Sequence, residues 1–147
     1  MSVRLGVDAG LARVGVAVSQ GSLCLPIQTL SNNEDLVPEI LRLAIERKAT
    51  AIYVGLPLAL SGNLTQSSKN ALSLARDLAL SSEVPIRLID ERLTTKSAQA
   101  RFHDAGKNTK ASRQSIDAAS AALILEFAIQ SERDGELAGK TVEEIDE

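Results

Sequence analysis

Cysteine, histidine and aromatic residues are scarce in this 147-residue chain: one Cys, one His, one Tyr, two Phe and no Trp. A lone thiol, Cys24, can close no internal disulfide and lacks partners for a zinc cluster, so it is read as a reduced core residue. The single imidazole, His103, is read as a surface group. Tyr53, Phe102 and Phe127 make up the whole aromatic set, and each is expected in the core, which excludes a stacking platform. No run of eighteen residues lacks a charge or a break, and MSVRLGVDAG lacks the basic start and cleavage site of a signal peptide. A soluble, cytoplasmic protein without a membrane partner is expected. The mass of 15.6 kDa suits one domain with a real core and leaves no room for a second catalytic one.

Charge is unevenly spread. Residues 134–147 hold six acids and one base, whereas the remaining 133 residues hold 15 bases and 13 acids. The formal charge of −3 therefore hides a slightly basic body ahead of an acidic tail, which is expected to be disordered. Between 87 and 113 the imbalance sharpens. Arg87, Arg92, Lys96, Arg101, Lys107, Lys110 and Arg113 face only Asp90, Glu91 and Asp104. Such a cluster suits phosphates, and equally a solvated surface.

Alternation with period two predicts strands over 3–8 and 13–19, joined as an antiparallel hairpin through Ala9-Gly10-Leu11-Ala12, with Gly10 able to take positive φ. Residues 23–30 read as a third strand that Pro26 pushes to an edge. Helical spacing of Leu36, Ile40, Leu43 and Ala44 predicts a helix from Asp35 to Lys48, with Pro38 tolerated in its first turn. A strand at 51–55, a helix ending near Ser81 with Leu72, Ala75, Leu78 and Ala79 inward, and a strand at 85–90 follow. A helix at 94–104, a basic loop at 105–112 and a long helix at 115–133 complete the order. This is an α/β domain over 1–133: a mixed sheet, antiparallel hairpin plus parallel strands, flanked by helices.

Three acidic positions stand out against that pattern. Asp8 ends an apolar strand, on the face opposite Val3, Leu5 and Val7 and alongside Gly6; a turn-initiating Asp is the competing reading. Asp117 shares a helix face with Ala121, Ile124 and Ala128, where an ionised carboxylate needs a partner, a metal or a cap; Asp in a first helical turn is the alternative. Asp90-Glu91 ends another strand at its carboxyl end, a common ligand position in open sheets. Alternation lets only one of this pair face a site and does not say which. If the fold gathers these acids, they form an oxygen-rich site for hard divalent ions, the machinery of phosphodiester cleavage.

Four segments, GVDAGLARVGVAVS (6–19), YVGLPLALSG (53–62), LIDERLTT (88–95) and IDAASAALIL (116–125), resemble the YqgF family, also called RuvX, in its own order. The chain departs from the family pattern at Leu11-Ala12, where polar residues are usual, and in a less basic 107–115. The resemblance implies a ribonuclease H-like fold and a nuclease that processes the 5′ end of pre-16S rRNA, or else a Holliday junction resolvase. It further implies that Asp8, Glu91 and Asp117 are catalytic and metal-binding, with Asp90 supporting. Two Mg²⁺ or Mn²⁺ ions would sit about 3.5–4 Å apart. Arg13 and Arg92 become candidate substrate contacts. Lys96, Lys107, Lys110 and Arg113, with the amides of Ser61, Gly62 and Asn63, would grip the nucleic acid backbone. Two further readings are an actin-like ATPase-type phosphate binder and a non-catalytic RNA-binding module. The pattern is compatible with a monomer or a homodimer.

Overall fold

The computed structural model describes the backbone of residues 2–94 and 110–146 and the side chains of 2–94 and 117–145. Its strands are β1 (Val3–Ala9), β2 (Arg13–Gln20), β3 (Leu23–Ser31), β4 (Ala49–Leu56) and β5 (Ile86–Asp90). The helices are α1 (Leu36–Glu46), α2 (Gln66–Ser81), α3 (Lys110–Ser131) and the short α4 (Val142–Asp146), with a 3₁₀ turn at Glu91–Leu93. The sheet order is β3, β2, β1, β4, β5, with β1 to β3 antiparallel and β1, β4 and β5 parallel. This is the expected mixed sheet.

Two cores follow from strand alternation. Leu5, Val7, Val14, Val16, Ile52 and Val54 bury one sheet face under α1 and α2. Ala17, Tyr53 and Ile89 lie on the other face, beneath the α3 residues Ala121, Ile124, Leu125 and Ala128. The α3 face is also lined by Gly6, Gly15 and Gly55. A Cβ at Gly6 would stand 2.8 Å from the Ala121 carbonyl, so the missing side chains let α3 lie directly on the strands.

Local chemistry sets the boundaries. Thr65 and Ser68 form a reciprocal capping box that starts α2. Pro38 falls in the first turn of α1, and Lys48 at φ 59° turns the chain out of it. Pro26 sits on the edge strand beside a register shift, where its missing donor costs no ladder bond.

Several expectations change. Gly10 closes the β1–β2 turn without positive φ; its amide donates to the Arg13 carbonyl instead. Ala79 is exposed, because the buried stripe of α2 runs through Ala71, Leu72, Leu74, Ala75 and Leu78. Cys24 is only half-buried on the edge strand, and burial still pushes its thiol up to about 11. Helix α3 begins at Lys110, so 110–112 are helical and Asp117 is not in a first turn. The expected helix at 94–104, with Phe102 and His103, and most of the basic loop lie outside the described residues.

The largest correction concerns the acidic tail, which is not disordered over 134–146. Lys140 pairs with Leu88 in an antiparallel bridge, its carbonyl accepting from the Leu88 amide at 2.7 Å, and so closes the outer edge of β5. Gly139 permits this: at φ 72°, a Cβ there would stand 2.3 Å from the Leu88 carbonyl. Ala138 and Val142 are buried. The Tyr53 hydroxyl accepts from the Ala138 amide at 3.0 Å and donates to Glu132, which also takes two hydrogen bonds from Arg4. Burial would raise Glu132, yet the donors Arg4 and Tyr53 outweigh it and hold the carboxyl below its usual range. Among the described residues, no helix is long and apolar enough to cross a membrane.

Candidate functional site

Asp8 points to the α3 face near the end of β1, paired across the ladder with Gly15 of β2. On its other side Gly55 lies one residue beyond the Val7–Val54 pair. The carboxylate is therefore flanked by two positions without side chains. From β5, Ile89 goes to the α3 face and Leu88 to the opposite one, so Asp90 and Glu91 diverge. Glu91 takes the inner side: a Cβ on Gly55 would stand 2.9 Å from its Oε2. Asp90 caps the 3₁₀ turn, accepting from the Arg92 amide at 2.9 Å, and its two carboxylate oxygens take the Arg92 guanidinium at 2.6–3.0 Å. The alternative left open by alternation is thus resolved geometrically, with Glu91 directed inward and Asp90 bracing the turn.

Asp117 arrives from α3. Its carbonyl lies so near Gly15 that a Cβ there would approach to 2.0 Å, and its Oδ2 accepts from Arg13 Nε at 2.8 Å. Arg13 is itself steadied by its turn. The Gly10 carbonyl takes hydrogen bonds from the Asn32 and Asn70 side-chain amides at 2.8 and 3.1 Å. Neither asparagine stood out in the sequence.

Electrostatics links the three acids. Burial, then the nearby Asp117 charge, pushes Asp8 up to about 6. Burial, then Asp8 and Asp90, pushes Glu91 up to about 8. Asp90 is held low, chiefly by the hydrogen bond from Arg92. Asp8 thus lies within charge range of both Asp117 and Glu91 at one end of the sheet. They do not form a closed cage: among the described residues no three His, Cys, Asp or Glu side chains are gathered to hold a metal ion. Asp117 is engaged by Arg13 instead.

The residues expected to grip a strand divide. Gly62, Asn63 and Arg92 line a cleft of about 700 Å³ beside Asp90, with Leu58, Phe127 and Lys140. The amides of Gly62 and Asn63, however, are used inside their own loop. The first donates to the Ala59 carbonyl and the second to Ser61 Oγ, so neither is free for phosphate as expected. Helix α2 opens later, at Gln66. Lys96 and Lys107 lie outside the described residues, as do the side chains of Lys110 and Arg113 at the start of α3.

The family model described as "RuvX: Holliday junction resolvase" matches residues 2–131. The chain belongs to the RuvX family. Among RuvX relatives, a protein of Leifsonia xyli subsp. xyli (strain CTCB07) named "Putative pre-16S rRNA nuclease" is 41% identical over 135 residues, covering 89% of this chain and 87% of its own. A protein of the same name from Nocardioides sp. (strain ATCC BAA-499 / JS614) is 40% identical over 151 residues and covers 97% of both chains. Among solved structures, Thermus thermophilus RuvC in complex with Holliday junction substrate superposes with a TM-score of 0.56 at 14% identity, over 88% of this chain and 96% of that one. At that identity the likeness bears on the fold alone, which is ribonuclease H-like.

Proposed function

We propose that this RuvX-family chain is a divalent-metal-dependent endonuclease that processes the 5′ end of pre-16S rRNA. The observation behind the proposal is the set of partly buried carboxylates, Asp8, Glu91 and Asp117, drawn from three distant segments to one end of the sheet. Like charges so placed cost stability unless something cationic joins them. The closely similar relatives named for pre-16S rRNA favour that substrate. The family description favours a four-way DNA junction as the second reading.

The donor set fits a hard divalent cation, because all three groups offer carboxylate oxygens, and burial followed by neighbouring negative charge raises the proton affinity of Asp8 and Glu91. Asp8, Glu91 and Asp117 would hold Mg²⁺ or Mn²⁺. Such ions, when bound, activate water and stabilise the leaving oxygen of a phosphodiester. The chain's own residues do the positioning. Gly15 and Gly55 keep side chains away from Asp8, and the Asp90–Arg92 pair holds the turn that directs Glu91 inward, while Arg13 is paired with the Asp117 carboxylate. The cleft beside Asp90 offers a path for the strand flanking the cut, with Arg92 and Lys140 on its walls. Lys96, Lys107, Lys110 and Arg113 would add backbone grip from the basic segment.

Incubating the purified protein with a precursor 16S rRNA end and with a four-way DNA junction, each with Mg²⁺, Mn²⁺ or chelator, tests this reading. Metal-dependent cuts in the rRNA precursor are expected. Cuts confined to the junction favour the second reading, and binding without cleavage of either leaves a non-catalytic module.

A further inference from the structure

Arg13 and Asp117 are 104 residues apart in sequence, yet both ends of their ion pair are fixed by backbone. The Arg13 carbonyl is tied to the Gly10 amide at 2.9 Å, in a turn that Asn32 and Asn70 clamp. The Asp117 backbone rests on Gly15, where no side chain would fit. Between them the guanidinium Nε donates to Oδ2 at 2.8 Å, with both side chains partly buried. The carboxylate it holds lies within charge range of Asp8. A cation is therefore already built into the acidic cluster, and an arginine cannot shed its charge.

We propose that Arg13 is a positioning residue that acts as the resident counter-ion of Asp117, and that a divalent ion must displace it to use that carboxylate. The idea rests on the nuclease reading only in taking the three acids as metal ligands. Its physical basis is competition. The guanidinium occupies Oδ2, one of the two Asp117 carboxylate oxygens an ion could use, and its charge opposes a second cation nearby. Arg13 thereby lowers metal affinity in the nucleic-acid-free protein while sparing the cluster from its own repulsion. An incoming phosphodiester, with oxygens matched to the same fork, is a chemically suitable acceptor for the released guanidinium.

The test is Mn²⁺ titration of the full chain without nucleic acid, read by the electron paramagnetic resonance of free Mn²⁺, for wild type, Arg13→Gln and Arg13→Lys. Melting temperatures in chelator and in Mn²⁺ accompany it. Competition predicts that Arg13→Gln binds Mn²⁺ about tenfold more tightly, the size of a typical coupling between contacting residues. The same variant should melt lower in chelator and gain more from Mn²⁺ than wild type does, with Arg13→Lys in between. Equal or weaker Mn²⁺ binding by Arg13→Gln, rescued by Arg13→Lys, would mean that Arg13 merely braces Asp117 and would overturn the proposal while leaving the metal site standing. No Mn²⁺ bound by any of the three proteins would overturn both.

Discussion

Gly15 of β2 lies so close to Asp117 of α3 that a Cβ would stand 2.0 Å from the aspartate's carbonyl oxygen. This approach sets the height of α3 over the sheet, and with it the place of the Asp117 carboxylate beside Asp8. Gly15→Ala should push the helix outward at that point. Overpacking of this kind costs about 1–3 kcal/mol. The expected result is a lower melting temperature together with weakened metal-dependent cleavage, and an Ala17→Gly control, farther from the acids, should spare cleavage at permissive temperature.

A second expectation concerns pH in the absence of metal. Asp8 and Glu91 are raised from ordinary values near 3.8 and 4.5 to about 6 and about 8. In that window the folded state binds more protons than the unfolded state, so stability falls as pH rises from about 4 to 8. Chelator-treated protein should therefore melt higher at pH 5 than at pH 8. Glu91→Gln should flatten the dependence and stabilise the metal-free protein at pH 8 by roughly 1–3 kcal/mol. Melting curves across that range, with and without the substitution, decide it.

Metal reverses the sign. On the proposed function a divalent ion would bind the ionised carboxylates, so protons would compete with it and cleavage should rise with pH through the same interval. Raising the Mn²⁺ concentration should shift the rising limb to lower pH. A limb that stays fixed at every metal concentration would assign it to another group.

The acidic C-terminal segment should matter for stability. Tyr53→Phe leaves the buried Ala138 amide without its acceptor and removes a donor from Glu132. A cost of about 1–3 kcal/mol is expected from such an unsatisfied group. Gly139→Ala should also destabilise, since positive φ and the Leu88 carbonyl both oppose a side chain there. Urea titration of both variants checks this.

Much of this arrangement could be read along the chain, and the reasons are local. Alternation placed Asp8 opposite Leu5 and Val7, and it forced Asp90 and Glu91 apart, because both effects depend on neighbours in sequence. What alternation lacked was depth. It could not choose Glu91 over Asp90, which took the position of Gly55 on the adjacent strand. The Arg13–Asp117 and Arg4–Glu132 pairs join residues more than a hundred positions apart, and charge alone gives no hint of such partners. Six acids in the tail predict disorder, but they outweigh four apolar residues only in composition: Leu137 and Ala138 pack with Tyr53 and Ile89 under α3, and Val142 and Ile145 pack on the other face of the sheet with α2. Glycines at 6, 15 and 55, all on one face of three neighbouring strands, were the available sign that a helix would lie close.

The central claim is that Asp8, Glu91 and Asp117 together hold the divalent ion that cuts a phosphodiester. Its most direct test is Mn²⁺-dependent cleavage of a precursor 16S rRNA end by wild type and by Asp8→Asn, after circular dichroism shows the same fold. The account predicts loss of cleavage by at least about a hundredfold. Undiminished cleavage by the folded Asp8→Asn protein would contradict it.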